Sequence, residues 1–339
     1  MNHLLNRRKF LGVTATTGLS LSLPHTLFSM PEPTPSAEGK RVGIIGLDTS
    51  HSTAFTKELN SPTAGPELDG YRVVAAYPKG SNDIESSVSR VAGYTEEVKK
   101  LGVEIVGSIE ELLRKVDVVL LETNDGRLHL EQALKVFKAG KRVFIDKPIA
   151  ASLADTKAIF EAAKKANVPV FSASSLRYMT SAQDIAQGKT IGKVLGADTY
   201  SPSPIEKTHP DLFWYGIHGV ETLFTVMGPG CKQVSRTHTK DMDVVVGVWN
   251  DDRIGTFRGI RSGKTGYGGT AYGEKGIAAI GPYEGYKALL VQIVEFFNTG
   301  KPPVSAAETL EIFAFMEAAE ESKRQGGATV TLESVLRKV

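Results

Sequence analysis

Apolar positions in this chain fall into two textures that change near residue 192. In the first half they form short unbroken runs, at residues 41–45, 71–77, 104–106, 116–122, 142–145 and 168–173. The run Val118-Val119-Leu120-Leu121 contains no polar position, as expected of a strand covered on both faces. Between the runs, residues 53–59, 84–101, 109–115, 128–139 and 153–165 read as helices. Ser152 before Leu153 is a helix start, and Gly140 after Ala139 a helix stop. Strand and helix alternating at this length predict a parallel, doubly wound sheet over residues 40–166.

After Gly192, runs at 194–200, 232–238, 244–249, 253–261, 268–272 and 277–280 follow one another without intervening helices. Gly, Asn-Asp-Asp and Gly-Glu-Lys-Gly turns separate them. Helices are expected at 284–298 and 306–325. Residues 167–339 therefore read as an α+β domain with a mixed, mostly antiparallel sheet and helices on one face. The fold class is α/β for the first domain and α+β for the second. A length of 339 residues suits two domains, on a prior of roughly 150 residues each.

A formal net charge of +2 gives no electrostatic case for nucleic acid or a membrane surface as partner. The single cysteine, Cys231, excludes an intrachain disulfide and a cysteine-rich metal site. No metal site is predicted. Residues 1–30 read as a twin-arginine export signal, because Arg7-Arg8-Lys9-Phe10-Leu11 opens a weakly apolar run that ends near Leu23. That run is too short and polar to span a bilayer comfortably. Residues 31–39, with Pro31, Pro33 and Pro35, read as an extended linker. The expected location is the periplasm, with no other membrane association.

Candidate chemistry begins at Lys40-Arg-Val-Gly-Ile-Ile-Gly-Leu-Asp-Thr-Ser-His51. Gly46 ends the first strand where a dinucleotide-binding turn needs its first glycine, but Asp48 and His51 stand where the second and third belong. The second glycine normally lets backbone approach the diphosphate, and the third lets the helix pack on the strand. A carboxylate at 48 would repel a diphosphate, while Thr49, Ser50 and the helix N-terminus can donate to one. Asp48 could instead cap the helix, and His51 could steady the turn with Asp48 or line the pocket mouth. At the ribose end, Tyr77-Pro78-Lys79-Gly80-Ser81 has no acidic residue. Lys79 there suits a 2′-phosphate, and equally a surface turn.

The segment from Val116 through His129 and Ala133 to Ala139-Gly140-Lys141-Arg142-Val143-Phe144-Ile145-Asp146-Lys147-Pro148 resembles the Gfo/Idh/MocA oxidoreductase family. So do Lys301-Pro302-Pro303-Val304 and Glu308-Thr309-Leu310 near the end. The resemblance implies hydride chemistry on a sugar or polyol with NAD or NADP. Lys147 takes the place of the lysine in the family's Glu-Lys-Pro motif, with Asp146 replacing the glutamate and Pro148 placed for a cis bond. Thr123 and Asn124 fall where members contact the cofactor. Arg177 and Tyr178 fall where they meet substrate. In Asp211-Leu-Phe-Trp-Tyr-Gly-Ile-His218-Gly-Val-Glu221, His218 fits the family's catalytic histidine and Trp214 its aspartate position. Glu221 stands one helical step beyond the histidine. The resemblance thus implies Lys147 and His218 as catalytic groups and Gly46, Asp48, Thr49, Ser50, His51, Lys79, Thr123, Asn124, Asp146 and Lys147 as cofactor-binding ones. Arg177, Tyr178, Trp214 and Glu221 are the implied substrate contacts. His129 reads as a packing or capping residue and His209 as part of a polar loop. A homo-oligomer is the expected assembly. A sugar-binding protein, or a lyase or hydrolase on the same scaffold, is the competing reading.

Overall fold

A computed structural model describes residues 39–339; the expected export signal and most of the expected linker lie outside the described residues. The first domain alternates β1 (Arg41–Ile45), α1 (Ser50–Asn60), β2 (Arg72–Tyr77), α2 (Glu85–Lys100), β3 (Glu104–Ile105) and α3 (Ile109–Lys115). It continues through β4 (Val118–Leu121), α4 (His129–Lys138), β5 (Arg142–Ile145), α5 (Leu153–Ala166) and β6 (Val170–Phe171). The six strands pair in parallel in the order β3-β2-β1-β4-β5-β6. Strands β4 and β5 are buried along their whole length, which explains the unbroken apolar run of β4 and the apolar residues after Arg142 in β5. Because β6 returns beside β5 through α5, this domain reaches past the expected boundary at 166.

The order of strands reverses between β1 and β4, and ligands of such sheets gather outside the strand ends at that point. Gly46 (φ +89°) makes the close approach possible there. A Cβ on it would lie 2.5 Å from the backbone nitrogen of Thr123, so only glycine lets the turn after β1 lie against the turn after β4.

The second domain contains α6 (Thr180–Ala186), β7 (Val194–Pro202), α7 (Ile217–Met227), β8 (Cys231–His238), β9 (Met242–Trp249) and β10 (Ile254–Ile260). Then come β11 (Gly268–Gly273), β12 (Gly276–Ile280), α8 (Lys287–Thr299), α9 (Ala306–Arg324), β13 (Val330–Thr331) and α10 (Leu332–Leu336). Its seven strands run β12-β11-β7-β10-β9-β8-β13, antiparallel except for β7 beside β10. Helix α7 is buried on every side, and a π-helical turn, Leu212–Gly216, leads into it. Helix α8 crosses back to the first domain. Its Leu289, Ile293 and Phe296 share one core with Val42, Phe144 and Phe171, the rings of Phe171 and Phe296 standing 4.8 Å apart. The loop before α8 is thereby held over the strand ends of the first domain.

Candidate active site

Two strand ends and the first turn of α1 supply the floor of one cavity. Strand β5 runs into Asp146 and Lys147, whose bond to Pro148 is cis. Strand β4 runs into Glu122, Thr123 and Asn124, and α1 presents His51 in its first turn. Helix α2 adds Arg90 and Tyr94, the π-helical turn and α7 add Tyr215 and His218, and loops of the second domain add Tyr267, Tyr283 and Tyr286. The cavity measures about 180 Å³, below the ~300–1,000 Å³ of drug-sized ligand sites. It suits a single small polar ring.

Its wall is a closed ring of side chains. From His51 it passes to Tyr286 (ring centroids 4.6 Å), Tyr283 (6.0 Å), Tyr267 (5.8 Å), His218 (5.7 Å) and Tyr215 (4.8 Å). Lys147 Nζ stands 5.9 Å from the centre of the Tyr215 ring and 3.7 Å from Asp146 Oδ2. Asp146 Oδ1 closes the ring at 2.8 Å from His51 Nδ1. Glu122 Oε2 lies 3.6 Å from the same His51 nitrogen, and neither Glu122 oxygen has a hydrogen-bond partner.

The two histidines are held in opposite charge states. Burial works against a charge on His51, but Asp146 and Glu122 outweigh it and push its pKa up to about 10. Asp146 is itself held below the usual carboxylate range, because His51 and Lys147 overcome its burial. Burial and the Asp146 charge raise Glu122 to about 7. Lys147 is raised, since Asp146 and the neighbouring tyrosines outweigh burial. His218 goes the other way: burial, then Lys147 and His51, push it well below its ordinary value. Its Nδ1 is taken by Ser174 Oγ at 2.8 Å, which leaves Nε2 for the cavity. An ammonium and an imidazolium therefore share this space with a neutral imidazole.

The crevice where an extended dinucleotide would continue past β2 is bridged by protein. Asp48 neither caps α1 nor meets His51. Its Oδ1 accepts from the backbone N–H of Asn124 (3.0 Å) and its Oδ2 from Ser87 Oγ (2.6 Å), with the residue fully buried. The loop after β2 lies directly on that carboxylate, since a Cβ on Gly80 would be 1.9 Å from Asp48 Oδ2. Above it, Arg127 donates to Asp125 (2.6 Å) and to Asp83 (2.5 Å), tying the loop after β4 to the loop after β2. Thr49 and Ser50 at the N-terminus of α1 do line the cavity, and no acidic residue stands in that first turn. That end suits an anion. The residues beyond it do not fit the adenosine half of a dinucleotide in the extended pose.

The remaining expected site residues scatter. Lys79 is exposed on the loop after β2. Thr123 is buried, and its carbonyl accepts from His129, which also bonds the Ile149 carbonyl and so joins the ends of β4 and β5. Arg177 and Glu221 pair with each other at 2.7 Å, with Glu308 on the far side of the guanidinium. They back the Ser174 turn instead of lining the cavity, Glu221 accepting from the Ser174 N–H. Tyr178 is half-buried beside Gln183 and Gln292, outside the cavity. Trp214 lies tilted against His209 (ring centroids 5.0 Å), and His209 is buried 3.4 Å from Asp125, not in an open loop. Sequence reasoning missed Glu122 and the tyrosines at 267, 283 and 286. Tyrosines inside glycine-rich turns, Gly266-Tyr267-Gly268 and Tyr283-Glu284-Gly285-Tyr286, are the signal that was available.

Residues 40–174 match the model of an oxidoreductase family with an NAD-binding Rossmann fold, GFO_IDH_MocA. An uncharacterized oxidoreductase of Streptococcus pneumoniae is 30% identical over 121 residues, 34% of this chain and 32% of that protein. The 1,5-anhydro-D-fructose reductase of Ensifer adhaerens is 33% identical over 123 residues, 34% of this chain and 36% of that protein. The chain thus matches about a third of the length of these curated relatives. Scyllo-inositol dehydrogenase of Lactobacillus casei, crystallised with NAD(H) and scyllo-inositol, shares the fold. Its TM-score is 0.67 at 16% identity, covering 86% of this chain and 99% of that one.

Proposed function

This chain belongs to the Gfo/Idh/MocA oxidoreductase family, and from that premise we propose that it oxidises or reduces a small polyhydroxylated molecule, a sugar or polyol. The observation that carries the reading is the closed ring, in which Lys147 and His218 flank Tyr215 above the strand ends. With Nδ1–H donating to Ser174 Oγ, the neutral His218 ring accepts the proton of the reacting hydroxyl at Nε2. The Lys147 ammonium donates to the same oxygen and stabilises the charge that develops there. The tyrosines offer flat faces to ring C–H groups and hydroxyls to the ligand's own. The similarity to an anhydrofructose reductase and to the fold of an inositol dehydrogenase supports a substrate of this class. NAD or NADP is the redox partner that family membership implies, and its adenosine half would have to open the Arg127 bridge.

Turnover of inositols and of 1,5-anhydro-D-fructose with NAD(H) and NADP(H) tests the reading. Lys147→Ala and His218→Ala should keep the circular dichroism of the wild type and lose ~10²–10⁴ in kcat/KM. Full activity in both variants would remove the assignment. The bridged crevice favours a second reading, a lyase or sugar-binding protein on the same scaffold. Sugar binding by calorimetry without any dinucleotide binding selects it.

A further inference from the structure

We propose that this cavity also catalyses proton exchange at the carbon next to the carbonyl of a small polyhydroxylated ketone, using no dinucleotide. The inference rests on the ligand class argued above. Three features of the ring carry it. Lys147 and His51 stand side by side on Asp146, so two hydrogen-bond donors with full positive charge reach the cavity from one wall. Asp146 accepts from His51 Nδ1, with Glu122 3.6 Å behind the same nitrogen, which fixes the direction of the ring and leaves its Nε2–H for the ligand. On the wall beyond Tyr215, His218 has its Nδ1 committed to Ser174 and only Nε2 to offer.

Groups whose surroundings push their proton affinities apart divide naturally into electrophile and base. Burial and the two nearby cations keep His218 unprotonated, while paired carboxylates keep His51 charged. A ketone oxygen placed against Lys147 and His51 would be polarised. His218 Nε2 would take the proton from the adjacent carbon, and the C–H electron pair would become the new C=C bond as the carbonyl π pair moves onto oxygen. The resulting enolate oxygen is stabilised by the two cationic donors. The proton on His218 exchanges with solvent, and its return to the same carbon restores the ketone. The balance closes with no oxidant or reductant, and in heavy water the carbon acquires deuterium. Because every group belongs to the chain, the bridged adenosine crevice is no obstacle to this step.

The test is proton NMR of the intact protein with 2-ketoinositol and with 1,5-anhydro-D-fructose in deuterated buffer, without added dinucleotide. Protein freed of nucleotide, as judged by its ultraviolet spectrum, should exchange the α-proton faster than buffer alone. His218→Ala should slow exchange by ~10²–10⁴, and His51→Gln and Lys147→Met should each slow it as well. Saturation-transfer spectra report binding of the same ketones independently of exchange, and circular dichroism reports the fold of each variant. Binding without exchange in the wild type overturns the inference and leaves the oxidoreductase reading standing. Exchange that starts only after NAD or NADP is added also overturns it. If neither ketone binds, the ligand class fails and the inference fails with it.

Discussion

That Lys147 and His218 share one cavity was legible through the short motifs whose resemblance implied them. His51 was not. Its partner Asp146 lies 95 residues away, and no local pattern announces that a histidine in place of a glycine fills the space beside an aspartate in place of a glutamate. Glu122 was hidden for a similar reason, since it ends an apolar run and reads as one more strand residue. The pairing has a measurable consequence. An imidazole whose pKa is raised on folding binds its proton more tightly in the folded state. Its stabilisation is therefore complete below its unfolded value of 6.5 and is lost as pH rises toward about 10. Urea unfolding across that window should show the wild type losing stability relative to His51→Gln as pH increases. Parallel curves for the two proteins would mean that His51 is not charged in the folded state.

At the scale of elements, the parallel strands of the first domain fell where unbroken apolar runs placed them, and α3 and β5 begin and end where the pattern put them. What the sequence did not disclose is how the loops between elements close on one another. Asp48 looked like a charge facing a phosphate. It is a buried acceptor that fastens the turn after β1 to α2 and to the turn after β4. Burial raises its pKa despite the bonds it accepts from Ser87 and Asn124. Opening the crevice therefore means removing both bridges. Arg127→Ala combined with Asp48→Gly should admit NAD, NADH, NADP or NADPH more tightly than the wild type. A charge near the diphosphate is worth about 1–4 kcal/mol in watery to surface-like surroundings, and the gain should grow at low salt, where screening weakens. Calorimetric titration of both proteins with the four dinucleotides measures it. Equal affinities would show that the bridges do not govern entry.

The whole molecule presents its second sheet asymmetrically. One face packs under α7 and α9, burying Ala197, Thr199, Val245 and Phe257. The register of β7, β9, β10, β11 and β12 puts Tyr200, Val246, Ile254, Tyr272 and Ile277 on the other. Ile254 is 53% exposed and Ile277 71%, although both belong to strands. Alternation along single strands hinted at two faces, but only the assembled order of strands shows which exposed side chains share one. Asp198, Thr256 and Arg258 share this face with them, and a mixed surface of exposed aliphatic and polar side chains is usual where chains meet. The expected homo-oligomer would bury this face against a second copy, and Val246 lies near its middle, between Ser235 on β8 and Thr256 on β10. Light scattering after size exclusion should give a multiple of the 36.5 kDa chain mass, less any segment removed at the N-terminus. Val246→Glu should shift it to the monomer with unchanged circular dichroism, because the substituted side chain points away from the core. A wild type that already elutes as a monomer at micromolar concentration would exclude assembly through the sheet.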